Sequence, residues 1–258
     1  MARWIGYRHD GRAGFGRLDG EQVIVHEGDL FDAPRATGEI LPLAEVVIDL
    51  PCRPSKVIAL WNNFSAMAEK QGLTPPVAPL FLLKPANTYR PSGAEIAVPD
   101  CAGRILFEGE LGIVIGKVAG RSARDLTPDE AVDHIFGYTC VNDVTALEIL
   151  KSDPSFAQWT RSKGLDGFGP FGPAIATDLD PEALSVKVRV NGRERQTYPL
   201  SDMIFRPREI VAMISRGMTL EPGDVIACGT SNGSGPIPKG ATVEVEIEGI
   251  GILSNRFS

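Results

Sequence analysis

The sequence predicts a mixed, β-rich α+β fold, and three observations carry that prediction. Short alternating runs recur, as in Val186-Lys187-Val188-Arg189-Val190 and Val243-Glu244-Val245-Glu246-Ile247-Glu248; period-two alternation marks a strand with one face buried. Turn dipeptides such as Asp19-Gly20 and Asn191-Gly192 sit beside such runs, and both suit hairpins. Helical signatures are sparse, two or three in 258 residues.

Taken in order, Arg12 to Leu18 and Glu21 to Val25 flank Asp19-Gly20, and a break follows from Pro51 to Pro54. This predicts a small N-terminal β-rich region over 1–54 and a main domain over 55–258. Lys56 to Leu60 reads as a strand. Phe64 to Gln71 reads as a helix, stopped by Gly72 and then Pro75 and Pro76. Leu80 to Leu83 reads as a buried strand and Leu111 to Gly116 as another. Thr127-Pro128-Asp129-Glu130 opens a helix through Ile135, with a capping threonine, proline in the first turn and acids at the positive end. Phe136 to Val141 and Val225 to Cys228 read as strands, and Pro207 to Ser215 as a helix. The glycines and prolines from Ser162 to Pro173 predict an irregular loop.

Hydrophobic residues make up 43% and charged residues 23%, enough apolar material to bury a core. The net charge of -7 argues against nucleic acid and anionic membrane surfaces, which select basic footprints. An anionic substrate must therefore be drawn by local features. The four cysteines form no CxxC pair and read as reduced thiols, mostly buried. The first residues carry no apolar leader stretch, and no run approaches the ~20 apolar residues of a membrane span. A cytoplasmic protein is expected.

Three segments carry chemistry. In Phe107-Glu108-Gly109-Glu110-Leu111 the two acids share one face of a strand, and side by side they repel unless a cation or a proton intervenes. Asp143, in Val141-Asn142-Asp143-Val144-Thr145, follows an apolar strand as a cap or a ligand. Lys163 lies in Ser162-Lys163-Gly164-Leu165-Asp166; beside an acidic site it would offer positive charge to a carboxylate or enolate. Singly, each has a plainer explanation: a solvated strand end, a cap, a surface lysine. If the three acids meet, they form a hard oxygen site suited to Mg²⁺, Mn²⁺ or Ca²⁺. The Ser-Gly run from Ser231 to Gly235 lacks the Lys-Ser/Thr of a phosphate loop, so nucleotide binding is rejected.

Set in order, the motifs read Glu-x-Glu before Leu-x-Ile-Val-Ile-Gly, then Gly-Tyr-Thr-x-x-Asn-Asp-Val, then Lys-x-x-Asp-x-x-x-Pro-x-Gly-Pro. Val-Asn-Gly with Gln196, Leu-x-Pro-Gly-Asp-Val-Ile-x-x-Gly-Thr and Glu-Gly-Ile-Gly-x-Leu follow. Together they resemble the fumarylacetoacetate hydrolase family over roughly residues 55–258. The resemblance implies that family's β-roll fold, a homodimer, and Mg²⁺ or Mn²⁺ on Glu108, Glu110 and Asp143. It implies a small anionic 2-oxo acid substrate, with Lys163 catalytic and with Lys84 (of Lys84-Pro85), Thr230, Gln196 and Arg90 as substrate contacts. Family members cleave acylpyruvates, decarboxylate, hydrate dienoates or isomerise 2-hydroxy-dienoates.

The chain departs from the family twice. The hydrolases carry Asn-Tyr-x-x-His with a Glu three residues on, a pair that activates water. Here Asn63-Phe64-Ser65-Ala66-Met67 and Lys70 stand there, and methionine cannot relay a proton. Leu147 and Leu150 replace the family's Arg and Gln after the aspartate motif, which predicts a more apolar pocket, or a different mode of substrate binding, in that region. Ala59 to Asn63 and Phe81 to Thr88 look most like the isomerase/decarboxylase branch of aromatic catabolism, which handles 2-hydroxyhepta-2,4-diene-1,7-dioate. The expectation is a Mg²⁺-dependent isomerase or decarboxylase of a 2-oxo dicarboxylate. An acylpyruvate C–C hydrolase, or a weakly active member with a binding role, are the alternatives.

Overall fold

The computed structural model describes residues 1–258. Its strands are β1 (Arg3–His9), β2 (Arg12–Asp19), β3 (Gln22–Asp29), β4 (Asp32–Pro42), β5 (Val47–Asp49), β6 (Val57–Trp61) and β7 (Leu80–Lys84). Next come β8 (Tyr89–Arg90), β9 (Glu95–Ile96), β10 (Ile105–Phe107), β11 (Gly109–Ile115), β12 (Ile135–Asn142), β13 (Thr145–Ala146) and β14 (Gly169–Ala176). The last are β15 (Ser185–Val190), β16 (Arg193–Pro199), β17 (Val225–Ala227), β18 (Gly235–Pro236), β19 (Thr242–Ile247) and β20 (Gly251–Phe257). Five helices accompany them: α1 (Ser65–Gln71), α2 (Pro128–Asp133), α3 (Leu147–Leu150), α4 (Trp159–Lys163) and α5 (Pro207–Ser215). The expected mixed β-rich fold is what the chain adopts.

Twelve strands form one sheet: ten follow the path β4-β3-β2-β1-β14-β12-β11-β17-β6-β7, β5 pairs with β1 and β8 with β14, so the N-terminal strands continue the body's sheet through the β1–β14 pair. A five-stranded sheet, β16-β15-β19-β20-β9, packs across its middle, and β13-β10-β18 form a small third sheet. Gly109 shows how closely the two large sheets approach. A Cβ there would lie 2.3 Å from Val188 Cγ2, so only glycine fits between the two glutamates. The apolar face of the alternating strand β15 (Val186, Val188, Val190) is buried in the main core.

Local chemistry explains the boundaries. Asn191 and Gly192 take φ of 50° and 73°, both positive as a tight I′ hairpin requires. The β2–β3 loop falls one residue later than expected: Asp19 pairs with Gln22, and Gly20 takes the positive φ of 58°. Thr127 and Glu130 form a reciprocal capping box at α2. Gly72 closes α1 in the left-handed conformation, its N–H donating to the Ala68 and Glu69 carbonyls.

Two expectations are corrected. The run from Ser162 to Pro173 is not one irregular loop: Ser162 and Lys163 end α4, and Gly169 to Pro173 belong to β14. The prolines are tolerated because Phe171 and Gly172 carry the pairing to β12, beside a register shift between Tyr138 and Cys140. The strand β7 is not buried. It is the last strand of its sheet and pairs only with β6, leaving Leu80, Phe81 and Leu83 43–44% exposed. Cys52, Cys140 and Cys228 are buried thiols, Cys101 is exposed, and none is disulfide-bonded. No helix is long and apolar enough to cross a membrane.

Candidate metal centre

The β11–β12 pairing builds the site. Gly109 faces Asn142 and Glu110 faces Val141, so the residue after Asn142 lies beside the residue before Gly109. Two bonds lock that junction: Asp143 N–H donates to the Glu108 carbonyl (2.9 Å), and Glu108 N–H donates to Asn142 Oδ1 (3.1 Å). One carboxylate oxygen from each of Glu108, Glu110 and Asp143 lies within 4.8 Å of the others. Glu108 lies in the one-residue break between β10 and β11, two positions before Glu110, and the ladder register delivers the aspartate beside them.

The charges around this triad are arranged asymmetrically. Asp143 is saturated: Lys84 Nζ donates to Oδ1 (2.6 Å) and Lys163 Nζ to Oδ2 (2.5 Å). Lys163 Nζ also donates to Glu108 Oε2 (2.7 Å), and Thr145 Oγ1 donates to Glu108 Oε1 (3.0 Å). Glu110 is fully buried. The Gly229 N–H donates to its Oε2 (2.8 Å), while Oε1 has no partner.

Protonation follows this asymmetry. Burial pushes the Glu110 carboxyl well above its usual range, and the neighbouring Asp143 charge adds to the effect. Burial would raise Asp143 too, but the ammonium groups of Lys163 and Lys84 hold it low. Burial lowers Lys84 despite Asp143. Lys163 goes the other way: burial opposes its charge, yet Asp143, Glu108 and Glu110 hold the ammonium above its ordinary value.

Lys84 reaches the floor only because Gly169 is bare: a Cβ there would lie 2.8 Å from Lys84 Cε. Its ammonium also donates to the Lys163 carbonyl (2.7 Å), which ties α4 to β7. Above the floor opens a cleft of about 160 Å³, with Glu108, Lys163 and Thr230 at its base and Leu60, Trp61, Met67, Leu73 and Leu106 on its walls.

The other expected site residues divide. Thr230 lines the cleft, but its hydroxyl donates to the Gly109 carbonyl (3.1 Å) and accepts from Gln196 Nε2 (2.8 Å). Gln196 is buried behind it, and its Nε2 also donates to the Ser231 carbonyl. Arg90 lies outside the cleft lining; its guanidinium donates to the Asn87 and Tyr89 carbonyls. Met67 does stand at the cleft. Leu147 and Leu150 do not line it, so its apolar character comes from α1, β6 and β10 and their flanks instead. Sequence reasoning missed Thr145, the Gly229 N–H and Asn62. Of these only Gly229 carried a signal, as part of the turn with Thr230.

The donor set fits a hard divalent cation: three carboxylates, no imidazole or thiolate among them, and a buried oxygen on Glu110 without a hydrogen-bond partner. Fold and site together define a β-rich protein with an oxygen-donor cluster that could hold such an ion beside a small cleft. Residues 56–258 match the model described as fumarylacetoacetate (FAA) hydrolase, C-terminal, and residues 2–48 match Rv2993c-like, N-terminal. The chain belongs to the fumarylacetoacetate hydrolase family.

Among its relatives is the oxaloacetate tautomerase YisK of Bacillus subtilis, 33% identical over 259 residues that cover 93% of this chain and 84% of that protein. The crystal structure of 2-hydroxyhepta-2,4-diene-1,7-dioate isomerase from Mycobacterium marinum superposes with a TM-score of 0.90 at 38% identity, covering 100% of this chain and 98% of that one. Maleylpyruvate hydrolase from Sphingobium sp. SYK-6, in complex with manganese(II) and pyruvate, has a TM-score of 0.77 at 25% identity, covering 99% and 98%. Enzymes named as tautomerase, isomerase and hydrolase thus share this fold.

Proposed function

We propose that this chain is a Mg²⁺- or Mn²⁺-dependent enzyme that interconverts the keto and enol forms of a small 2-oxo carboxylate. The observation that carries this reading is the set of titratable side chains in the cleft. Only Glu108 and Lys163 line it; histidine is absent, and Met67 stands where the family's hydrolases resemble one another in carrying it. A hydrolase must activate a water, and the cleft has no spare base for that task. Enolisation needs no activated water nucleophile, only an acceptor for the C3 proton, which solvent at the cleft mouth supplies.

Glu108, Glu110 and Asp143 would hold the ion, which supplies Lewis-acid charge to favour the enolate form of a 2-oxo acid. Lys163 Nζ, on the base of the cleft, holds a proton and positive charge beside the substrate's developing oxyanion. Lys84, sealed beneath, keeps Asp143 ionised. Thr145 orients Glu108, and Gln196 orients Thr230. In the keto-to-enol direction the C3–H bond breaks, its proton passing to solvent water at the open cleft, and an O–H bond forms at C2 with a proton taken from solvent; the reverse direction returns both protons. No water is consumed and no redox partner is needed. The same charge distribution would support loss of CO₂ from a 3-carboxylate, so decarboxylation is a second activity to assay.

Dimerisation belongs to the same proposal, supported by the exposed apolar edge of β7 with Leu80, Phe81 and Leu83. Light scattering on the purified chain tests it: twice the 27.7 kDa chain mass is expected, and a monomer would exclude it.

The function is tested by turnover of oxaloacetate, an acylpyruvate and a 2-hydroxy-dienedioate, each with Mg²⁺ and with EDTA. Metal-dependent ketonisation or CO₂ release without acyl cleavage is the expected result. Metal-dependent cleavage of the acylpyruvate into two acids would sink the isomerase reading in favour of a hydrolase.

A further inference from the structure

The rest of the cleft lining constrains the end of the substrate that does not react. Apart from Glu108, Lys163 and Thr230, its polar side chains are Asn62, Gln71 and Ser234, all neutral. The one cation in the cleft, Lys163, is already held by Glu108 and Asp143. The remaining wall is apolar and is stiffened by Trp61, whose ring packs on Trp159 with 5.8 Å between centroids. A second carboxylate placed here would lose its hydration without gaining a counter-ion.

Asn62 sharpens the constraint. It is only 9% exposed. Its Nδ2 donates to the Thr74 carbonyl (3.2 Å), and because a carbonyl oxygen can only accept, this fixes which way the amide faces. Its Oδ1 is then a buried acceptor with no partner. A buried acceptor without a partner costs free energy unless a donor is supplied.

We infer that Asn62 is a specificity residue: its Oδ1 accepts a hydrogen bond from an uncharged, donor-bearing group, a hydroxyl or an amide, at the far end of the substrate. This rests on the proposed enolising activity and narrows its substrate. The second end is neutral, where the relatives named for oxaloacetate and dienedioates take a carboxylate. The acceptor oxygen repels a carboxylate for the same reason that it attracts a hydroxyl.

The test uses three 2-oxo acids of equal chain length: 5-hydroxy-2-oxopentanoate, 2-oxopentanoate and 2-oxoglutarate. Enolisation is read by NMR as deuterium entering C3 from D₂O with the Mg²⁺-loaded full chain, and kcat and KM are obtained for each. The hydroxyl substrate is expected to lead in kcat/KM, with at least about a tenfold margin over 2-oxoglutarate. Asn62→Gly, which suits the positive φ of 58° at this position, should erase the preference of hydroxyl over methyl, mainly through KM. Asn62→Asp, nearly the same shape, covers the case in which the glycine variant fails to fold. It should depress 2-oxoglutarate further.

Fastest exchange with 2-oxoglutarate would overturn this inference and leave the enolising reading standing. A hydroxyl preference that survives in Asn62→Gly would also overturn it. Exchange with none of the three acids, nor with oxaloacetate, would remove the enolising reading and this inference with it.

Discussion

The floor of the cleft and its wall are built on opposite physics. On the floor, Asp143, Lys84 and Lys163 are nearly sealed from water, and each charge is fixed by a neighbour at 2.5–2.7 Å. The wall, from β6 through α1, is apolar with neutral polar groups between. Buried charges tolerate almost no change, because removing one partner strands the other. Apolar walls tolerate exchanges that conserve volume. The contrast divides the cleft: its charged floor admits little substitution, while its apolar wall can change in shape at small cost.

Substitutions sharpen this contrast, from the largest effect down. Lys84→Met leaves Asp143 with one counter-ion instead of two and should cost roughly 3 kcal/mol in urea unfolding, in the range for broken buried pairs. A loss well under 1 kcal/mol would mean that Lys163 alone suffices. Gly109→Ala adds a Cβ 2.3 Å from Val188 Cγ2 and should cost roughly 1–3 kcal/mol by overpacking. Glu108 and Glu110 shift with the strand, so metal affinity should fall in the same variant. On the wall, Met67→Leu should cost less than about 1.5 kcal/mol, with unchanged metal affinity in a Mn²⁺ titration.

The smallest effect lies away from both regions. His134 is 1% exposed, and neither ring nitrogen has a partner. Burial lowers its pKa from the ordinary 6.5. The unfolded chain therefore binds this proton more readily, so the stability tied to the neutral ring is present above about pH 6.5 and declines as the pH falls below it. Melting curves from pH 7.5 to 5 should show a shallower acid decline in His134→Leu than in the native chain; parallel declines would count against this assignment.

The triad was legible because it depends on local rules. Period-two geometry pairs Glu108 with Glu110, and the ordered motifs bring in Asp143. The Asn191-Gly192 turn, the Thr127–Glu130 capping box and the α5 helix from Pro207 to Ser215 were legible for the same reason. The rest depends on distant chain. Lys84 was expected to contact the substrate; only with Gly169, from another strand, clearing its path is it seen sealed beneath the floor against Asp143. The apolar run of β7 implies burial, yet its place at the sheet edge exposes it. Prolines at 170 and 173 imply a loop, yet pairing through Phe171 and Gly172 makes a strand. Asn62 gave no signal, since an unpartnered oxygen exists only in three dimensions.

The central claim, that these three carboxylates hold the ion which makes the cleft an enolising site, is tested most directly at Glu110. Calorimetric titration of Mn²⁺ and Mg²⁺ into the native chain and into Glu110→Gln should be run beside oxaloacetate keto–enol turnover. The account predicts saturable binding with about one ion per chain, lost in the variant together with at least about a hundredfold of turnover, the scale of losing one electrostatic stabiliser. Native-like turnover in Glu110→Gln, or full turnover of the native chain in EDTA, would contradict it.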